Sequence, residues 1–474
     1  MWSPKQLDSD GPRFLAILRA LERDIADGKA IAGDRLLPQR ELAYRLGLSV
    51  GTVVRAYAVA EQRGLVVGKV GRGTFIAGPE HSDEGGFFGD GARPPGFATG
   101  APIDLSLNVP PLGRQAEVLG AALRALGSSP ELAELLRYSP HRGIVRHRTA
   151  VADWVARGTA GQFKPTPEQV VICNGAQHAM ATVIASLATP GDVILTEALT
   201  YAGIKAIAGN ARVSLHGVEM DADGLSPEAL DAACERSGAR LLYTIPTLHN
   251  PTGTTMPAAR RQAIAAIARR RGLTIMEDDV YGFLMPDAPP PFAALLPAQT
   301  YYLGSFSKCL APGLRVGFVI APSHAVERIV AGIRATNWMT TPILVEAVAR
   351  WIVDGTAELL AAEKRGEASV RCRIAKEIFG AWLSGNVNEN TPAFHIWLRL
   401  PDALTTADIV ARATALGIAV TPPEAVTVGS PAMHGIRICL GAAHGPAQLR
   451  EGLGRLRGLF ETSDQAPMPM PSVI

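Results

Sequence analysis

A single lysine stands in the apolar stretch YLGSFSKCLAPGLRVGF, residues 302–318. Burial penalises a charged ammonium group, so we expect a lowered pKa for Lys308 in these surroundings. The neutral amine is a nucleophile toward carbonyl carbons, and lysines capture aldehyde cofactors in this way. The alternative interpretation is a surface lysine that follows a strand. Lys308 alone does not separate the two interpretations, so other segments of the chain must decide.

Groups that suit a phosphate flank this lysine and recur in a second segment. Ser305 and Ser307 precede it, and Arg315 follows with a guanidinium fit for bidentate contacts. The segment CNGAQHAM predicts a strand-to-helix junction, where free N–H groups favour a phosphate; its candidate ligands are Gly175, Ala176 and Gln177. An ordinary strand–helix turn is the alternative for this junction.

Three further segments carry residues that suit a flat, charged ring. Asn250, in LHNPTG, can donate to a phenolate oxygen, although the segment also fits simple turn chemistry. In IMEDDVYGF, Asp278 ends an apolar strand, where a carboxylate can pair with a protonated ring nitrogen, and Tyr281 lies three residues later. The alternative for these acids is a helix N-terminus. Tyr201, in EALTYAGIK, can stack on a ring or pack in the core.

The elements that must position these residues alternate between strand and helix. QVVICNG precedes AQHAMATVIASLA, DVILTEA precedes TYAGIKAIAG, and TYYLGSFS precedes the lysine. This order predicts an α/β domain with a mainly parallel sheet covered by helices. Residues from about 360 to 460 predict a smaller α/β lobe around PAFHIWLRL and IRICLG.

The first 78 residues have a different pattern. RFLAILRALERDIADGKA has helical apolar spacing, Pro38 opens a short helix that Gly47 ends, and Ser49 caps a helix with Val53, Val54, Tyr57 and Ala58 on its inner side. LVVGKVGRGTFIA then predicts a hairpin. Together these elements predict a winged helix-turn-helix, with a small helical docking domain as the alternative. The residues expected to face DNA are Arg40, Ser49, Val50, Thr52, Arg55, Lys69, Arg72 and Thr74.

Composition and spacing define four segments. We expect a DNA-binding domain at residues 1–78, a flexible linker rich in Gly, Pro and acidic residues at 79–103, the α/β domain at 104–461 and a disordered tail at 462–474. Residues 1–78 carry 12 Lys and Arg against 8 Asp and Glu, which hints at a nucleic-acid partner.

Several classes of protein are not indicated. No apolar run reaches the roughly 18 residues of a membrane span, and the first ten residues lack the apolar region of a secretory signal. The five cysteines are scattered singly, so neither a disulfide framework nor a zinc site is expected and no metal site is predicted. We therefore expect a cytoplasmic protein without membrane partners.

The N-terminal residues resemble a known family. GDRLLPQRELAYRLGLSVGTVVRAYAVAEQRGLVVGKVGRGTFIA is similar to the winged helix-turn-helix of the GntR family over about 70 residues. The resemblance implies binding to double-stranded promoter DNA. Position 50 is Val where Arg is common in the family, and a valine can only touch a thymine methyl group or pack.

The remaining motifs, in their order along the chain, resemble the fold-type I pyridoxal-phosphate aminotransferases. The resemblance covers residues 104–460 and implies pyridoxal 5'-phosphate as the cofactor, with Lys308 forming the Schiff base. It implies that Asp278 pairs with the pyridine nitrogen, that Asn250 and Tyr281 bind the ring oxygen and that Tyr201 stacks on the ring. The implied phosphate ligands are Gly175, Ala176, Gln177, Ser305, Ser307 and Arg315. Arg437 matches the arginine for a substrate α-carboxylate, and Tyr138 would reach the partner subunit's site in a homodimer.

The fusion of both parts resembles the MocR subfamily of regulators. The first hypothesis is a pyridoxal-phosphate-dependent transcriptional regulator that senses an α-amino acid, another amine or the cofactor itself. The second is a working aminotransferase with a DNA-binding domain, favoured by the retained Asn250, Lys308 and Arg437. A third is a cofactor-binding scaffold with neither activity.

Overall fold

The chain forms two compact units, Met1–Arg93 and Pro94–Ile474, each with its own hydrophobic core. The computed structural model describes residues 2–4, 12–27, 29–30, 34–62, 65–69, 73–76, 103–383, 391–400, 404–429 and 434–464. Residues 79–102 of the predicted linker, residues 465–474 of the predicted tail and Arg72 lie outside these residues, as does the side chain of Lys69.

The N-terminal unit has the predicted winged helix-turn-helix. Its elements are α1 (Arg13–Ala26), α2 (Gln39–Leu46), α3 (Val50–Gln62), β1 (Val66–Lys69) and β2 (Gly73–Ile76), with β1 and β2 antiparallel. Gly47 ends α2 in the left-handed conformation, and Ser49 Oγ accepts a bond from the Thr52 N–H at 3.2 Å at the start of α3. Both predicted helix boundaries are confirmed.

The prediction for the inner face of α3 is wrong at two positions. Val53 and Tyr57 are buried as expected, but Val54 and Ala58 are exposed. The buried set continues instead through Ala56 and Ala60. The buried residues 53, 56, 57 and 60 follow the i, i+3, i+4, i+7 spacing of one helix face, which leaves Val54 and Ala58 on the outer side.

The larger lobe of the C-terminal unit is a seven-stranded sheet with helices packed against it. Its order is β4-β12-β11-β10-β9-β5-β6, and only β12 runs antiparallel to its neighbours. The strands are β4 (Val170–Cys173), β5 (Val193–Glu197), β6 (Ser214–Val218), β9 (Leu241–Thr244), β10 (Thr274–Asp278), β11 (Thr300–Ser305) and β12 (Gly317–Ile320). Four of them, β4, β9, β11 and β12, are buried throughout, as their continuous apolar runs require. The predicted, mainly parallel sheet is confirmed.

Helices and a short hairpin complete this lobe. The helices are α4 (Gln115–Gly127), α5 (Leu132–Leu135), α6 (Val145–Gly158), α7 (Gly175–Leu187), α8 (Ala202–Ala211), α9 (Pro227–Ser237), α10 (Ala258–Arg271), α11 (Phe292–Leu295), α12 (Val326–Thr336) and α13 (Pro342–Val353). The hairpin strands are β7 (Met220–Asp221) and β8 (Gly224–Leu225).

The smaller lobe contains two short sheets covered by long helices. Its elements are β3 (Ile103–Asp104), α14 (Thr356–Phe379), β13 (His395–Arg399), α15 (Thr406–Ala415), β14 (Ile418–Ala419), α16 (Pro423–Val426), β15 (Gly435–Cys439) and α17 (Pro446–Asp464). β13 pairs antiparallel with β15, placing His395 opposite Cys439 and Trp397 opposite Arg437. Side chains alternate along strands, so these four residues share the face opposite the lobe's core.

Two predicted boundaries differ from the structure by a few residues. Ile103, assigned to the linker, pairs with Ile418 and belongs to β3. The helix α17 ends at Asp464, whereas the predicted tail begins at residue 462. In the described part of the chain, no helix combines the length and hydropathy that crossing a membrane requires.

Candidate functional site

The chemically active residues of the C-terminal unit converge at the carboxyl ends of the central strands. Asp278 ends β10, Ser305 ends β11, and Lys308 follows three residues later. The adjacent strands are parallel and in register, with Asp278 beside Leu303. The edge at which parallel strands end is where α/β sheets place their ligands.

Lys308 lies in a largely enclosed position. Burial lowers the pKa of its amine to about 8, so a neutral, nucleophilic fraction exists near neutrality. The ammonium also donates a hydrogen bond to the backbone carbonyl of Asn108, in the segment before α4. The predicted depression of the lysine pKa follows from this environment.

Asp278 is a buried carboxylate held by two donors. Tyr243 Oη donates to its Oδ2 at 2.7 Å, and the Val280 N–H donates to its Oδ1 at 3.3 Å. Burial raises the pKa of Asp278 to about 6. A cationic partner placed against this carboxylate would offset the desolvation of its charged form.

Asn250 and Arg437 meet across the boundary between the two lobes. Arg437 Nη1 donates to Asn250 Oδ1 at 2.9 Å, while Nη2 donates to the Ser106 carbonyl at 2.9 Å and to Thr421 Oγ1 at 2.8 Å. The guanidinium is buried, and its Nε has no acceptor among the described residues.

Tyr281 is buried beside this pair. Its hydroxyl accepts a bond from Asn108 Nδ2 at 2.8 Å, and the same amide nitrogen lies 2.9 Å from His395 Nδ1. Burial raises the pKa of Tyr281 well above its usual range. The phenol is therefore neutral and retains a proton that it can donate.

Tyr201 stands at the start of α8 and faces the start of α7. Its hydroxyl donates to Gln177 Oε1 at 3.1 Å, and burial raises its pKa to about 12. A Cβ at Gly203 would meet the Tyr201 ring at 2.3 Å, so the glycine leaves room for the ring beside the helix.

The start of α7 and Arg315, both predicted to hold a phosphate, lie side by side in the structure. No side chain caps this helix, and residues 175–177 donate no backbone hydrogen bond to the described residues. Gly175 has φ +79°, and a Cβ there would lie 2.7 Å from Arg315 Nη2. Arg315 is exposed, adopts the left-handed conformation and donates to the Asn174 carbonyl at 3.2 Å.

The two serines before Lys308 are unequally placed. Ser305 is buried, with Oγ 3.2 Å from the Val316 carbonyl and 2.9 Å from Ser307 Oγ. The Ser307 N–H donates back to Ser305 Oγ at 3.1 Å. Ser307 is the more exposed of the two, and Ser305 fixes the turn that presents it.

The donor set fits pyridoxal 5'-phosphate. Uncapped N–H groups and Arg315 suit the phosphate, the Asp278 carboxylate suits the pyridine nitrogen, and the Lys308 amine suits the aldehyde. Two buried polar atoms, Arg437 Nε and Asn108 Oδ1, have no partner in the described part of the chain. Buried polar atoms of this kind are uncommon in a complete site, which points to a ligand among them.

Tyr138 does not join this cluster within one chain. It is 84% exposed, and its ring packs edge-on against Trp338 with centroids 6.0 Å apart. Its predicted role in a partner subunit's site remains a prediction.

In the N-terminal unit, the predicted DNA-facing residues differ in their exposure and in their contacts with other residues of the unit. Arg40 and Val50 are exposed, whereas Ser49 and Thr52 bond to each other through their hydroxyls at 2.8 Å. The Arg55 guanidinium lies 4.3 Å above the Phe14 ring of α1. Arg40, Val50 and Arg55 therefore remain candidates for groove or phosphate contacts, and the Ser49–Thr52 pair fixes the start of α3.

The wing is joined to the segment before α2. Leu36 donates its N–H to the Thr74 carbonyl at 2.8 Å, and Ile76 donates to the Asp34 carbonyl at 2.8 Å. A Cβ at Gly73 would lie 2.8 Å from Arg35 Nε. Arg35 is thus an exposed basic residue beside the wing that sequence reasoning did not single out.

Sequence reasoning also missed three residues of the candidate site. Tyr243, Asn108 and Thr421 bond to Asp278, Tyr281 and Arg437 respectively. Asn108 lies 173 residues from Tyr281, so no local motif marks it. For Tyr243 the sequence does offer one signal, a hydroxyl-bearing residue within the apolar run LLYT. That this strand lies beside the one ending in Asp278 is known only from the structure.

Comparison with known families matches both units. The family described as "Bacterial regulatory proteins, gntR family" matches residues 15–76, and "Aminotransferase class I and II" matches residues 101–456. The uncharacterized HTH-type transcriptional regulator YdeF of Bacillus subtilis is 30% identical over 97% of each chain. HTH-type transcriptional regulator TauR of Rhodobacter capsulatus is 28% identical over 91% of this chain and 93% of TauR.

A solved structure supports the fold of the second unit. LysN, an alpha-aminoadipate aminotransferase from Thermus thermophilus complexed with N-(5'-phosphopyridoxyl)-L-leucine, is 25% identical to this chain. The superposition has a TM-score of 0.67 and covers 76% of this chain and 92% of LysN.

Proposed function

Because the chain belongs to the MocR subfamily of GntR-type regulators, in which a winged helix-turn-helix precedes a class I and II aminotransferase domain, we propose that it is a DNA-binding transcriptional regulator controlled by pyridoxal 5'-phosphate and an α-amino acid. One observation carries the proposal: a single chain contains a helix-turn-helix unit and an intact set of cofactor ligands around Lys308. Full-length similarity to relatives named as regulators supports it.

The residues of the pocket hold the cofactor in a fixed orientation. The uncapped start of α7, Ser307 and Arg315 would bind the phosphate, and Asp278 would hold a proton at the pyridine nitrogen. Lys308 supplies the amine that joins the aldehyde. When bound, the cofactor supplies an electrophilic carbon that can exchange one amine for another.

The effector class follows from Arg437. Its guanidinium is buried, keeps an unpartnered Nε and lies beside Asn250. A carboxylate is the ligand that such a fork binds best, and the adjacent reactive centre takes an amine. An α-amino acid carries both groups, so we place it before simple amines and before the cofactor alone as the signal.

The signal reaches DNA as a difference in affinity between two conformations. An amino acid whose amine replaces that of Lys308 on the cofactor would free the lysine as an amine, and its carboxylate would bind Arg437, on the smaller lobe. A ligand shifts DNA binding only by its differential affinity for the two conformations. The linkage is reciprocal, so promoter DNA also changes the affinity for the amino acid.

We further propose a cytoplasmic homodimer. Four apolar side chains of the C-terminal unit are exposed, namely Leu136, Tyr138, Val145 and Trp338, and the rings of Tyr138 and Trp338 pack against each other. Exposed apolar groups in proximity mark association surfaces, and Tyr138 would then reach the partner subunit's pocket. Sedimentation of the cofactor-loaded protein measures this directly; a monomer at micromolar concentration contradicts it.

An amino acid aminotransferase is the second candidate. Lys308, Asp278, Asn250 and Arg437 are all present and gathered in one pocket, so the residues that amino transfer needs are in place. Under this alternative the DNA-binding unit would be vestigial or would regulate the protein's own gene.

The first test is DNA specificity. The cofactor-loaded protein is titrated with the intergenic DNA beside its own gene and with random DNA of equal length at one salt concentration. Specific regulators prefer their sites by at least roughly a thousandfold. Equal affinity for both DNAs, with amino acids converting the bound cofactor to its amine form, favours the aminotransferase instead.

A further inference from the structure

Asn108 belongs to none of the sequence motifs, yet it contacts three polar residues of the pocket. Its Nδ2 lies 2.8 Å from Tyr281 Oη and 2.9 Å from His395 Nδ1, and its backbone carbonyl receives Lys308 Nζ. Its Oδ1 is buried without a partner among the described residues. With its NH₂ group toward Tyr281 and His395, the amide leaves its oxygen without a hydrogen bond, which is unfavourable. Another contact must therefore fix this orientation of the amide.

His395 determines the orientation. Its Nε2 lies 3.0 Å from the His249 carbonyl, which can only accept a hydrogen bond. Nε2 must therefore carry a proton. Burial lowers the pKa of His395 to about 3, so the ring is neutral and Nδ1 has no proton. Asn108 must then donate to Nδ1, which places its NH₂ group, and not its oxygen, between His395 and Tyr281.

The second N–H of the same amide fixes the Tyr281 hydroxyl. Because Tyr281 Oη accepts a bond from Asn108, its own proton points elsewhere, and no described residue accepts it. A hydroxyl that accepts a bond is also a stronger donor, since hydrogen bonds in a chain polarise one another. The charged and titratable groups facing Tyr281 are Asp278, Arg437, Tyr201, Cys439 and His395, whose ring centroid lies 5.2 Å from that of Tyr281. None of these takes its proton among the described contacts.

We propose that Asn108 is a positioning residue that, held by His395 and the His249 carbonyl, directs the Tyr281 hydroxyl to donate a hydrogen bond to the ring oxygen of bound pyridoxal phosphate. This inference rests on the proposed function, because it needs the cofactor in the pocket. Donation to the ring oxygen disfavours a proton on the nitrogen that joins Lys308 to the cofactor. Asn108 thereby sets the fraction of cofactor that is protonated and reactive at a given pH.

The test is a pH titration of the cofactor's visible absorbance in a double-mutant cycle. Four loaded proteins are compared: wild type, Y281F, N108A and N108A/Y281F. We expect Y281F to raise the apparent pKa of the lysine-linked cofactor by about one unit and N108A to raise it by about half a unit. In the double mutant the N108A effect disappears, because the hydroxyl that it acts through is gone.

A second variant, N108D, keeps the test decisive if N108A does not fold. N108D keeps the shape of the side chain but offers only acceptors, so it draws the Tyr281 proton toward itself and away from the ring oxygen. We expect its apparent pKa to rise at least as far as that of N108A. L112A is the matched control in the same segment, where the side chain is 73% exposed, and it should titrate as wild type.

The outcomes separate this inference from the proposed function. Unchanged titration in both N108A and N108D, or shifts that add fully to that of Y281F, overturn the role of Asn108 while leaving the cofactor site intact. Absence of lysine-linked absorbance in the loaded wild-type protein overturns the proposed function itself.

Discussion

Arg437 Nη1 donates a hydrogen bond to Asn250 Oδ1 at 2.9 Å, joining the smaller lobe to the turn that follows β9. This bond fixes the Asn250 amide, because its oxygen faces the guanidinium and its NH₂ group is directed elsewhere. In the proposed function this NH₂ group would donate to the ring oxygen of the cofactor, which is the role that the sequence resemblance implies for Asn250. Arg437, the proposed carboxylate ligand, is thus bonded directly to the residue proposed to hold the ring.

Replacement of Arg437 should discriminate between classes of effector. R437A is expected to weaken binding of α-amino acids by roughly tenfold to a hundredfold, the contribution of hydrogen bonds to a charged partner. Amines without a carboxylate should bind as before. R437K retains the charge but loses the fork and should recover only part of the affinity. Absorbance titration measures both ligand classes; an equal loss for both contradicts the carboxylate role. R412A, an exposed arginine of the same lobe, is the control.

Lys308 should be the point of covalent attachment. Borohydride reduction of the loaded wild-type protein should fix the cofactor to the peptide that contains Lys308, as read by mass spectrometry. K308A should lose the visible absorbance of the lysine-linked cofactor and the covalent label. K164A replaces an exposed lysine and should retain both. A label on any other lysine would mean that the site is misassigned.

Asp278 should make the apoprotein less stable as the pH rises. Its pKa in the folded protein, about 6, lies above the ordinary value of 3.8, so the folded state binds more protons between these values. That stabilisation is fully present below pH about 4 and is lost as the pH rises through 6. Relative to D278N, the wild-type apoprotein should lose about 1 kcal/mol of unfolding free energy between pH 5 and 7.

Urea unfolding at several pH values checks this slope. Loading with the cofactor should flatten it, because a protonated pyridine nitrogen stabilises the ionised carboxylate. D153N, at an exposed carboxylate on α6, should show no such difference from wild type. A pH-independent difference between wild type and D278N would contradict the raised pKa.

Gly175 should be required for phosphate binding. Alanine at this position would adopt φ +79° under strain and place its Cβ 2.7 Å from Arg315 Nη2. G175A should weaken binding of pyridoxal phosphate by the apoprotein by about tenfold or more. The control is G366A within α14, where an added Cβ meets nothing within 4 Å. Replacing a helical glycine by alanine is expected to stabilise the helix by up to about 1 kcal/mol and to leave cofactor binding unchanged. Unchanged affinity of G175A for pyridoxal phosphate would contradict a phosphate site at the start of α7.

Arg55 should contribute to DNA binding and not to the cofactor site. R55A is expected to weaken DNA binding and to reduce the salt dependence by about one phosphate contact. Truncation also removes the contact with Phe14, so thermal unfolding is measured alongside, and R55K keeps the charge. Loss of both DNA and cofactor binding would indicate misfolding. R124A, an exposed arginine of α4, is the control.

The sequence was most informative where chemistry depends on local motifs. Lys308 and its flanking serines, the glycine junction before α7 and the Asp278 strand end are each read from a few adjacent residues. The same holds for the helix boundaries at Gly47 and Ser49, because caps and left-handed glycines act within one turn.

Contacts between distant segments were not predictable in this way. Asn108 bonds to Tyr281 and His395, and Arg437 bonds to Asn250, across separations of 173, 287 and 187 residues. Only the folded sheet brings these segments together. The prediction for the inner face of α3 was wrong for a different reason. It placed four apolar residues within six positions on one helical face, and the sequence alone does not show which of them remain exposed.

The central claim is that an amino acid at Lys308 controls DNA affinity. The direct measurement is the affinity of the loaded protein for its own intergenic DNA, at one salt concentration, across a panel of amino acids, for wild type and K308A. We predict that one class of amino acid changes the wild-type affinity by about fivefold or more and leaves K308A unchanged. Specific DNA binding that no amino acid alters, while amino acids still convert the bound cofactor, would contradict the claim.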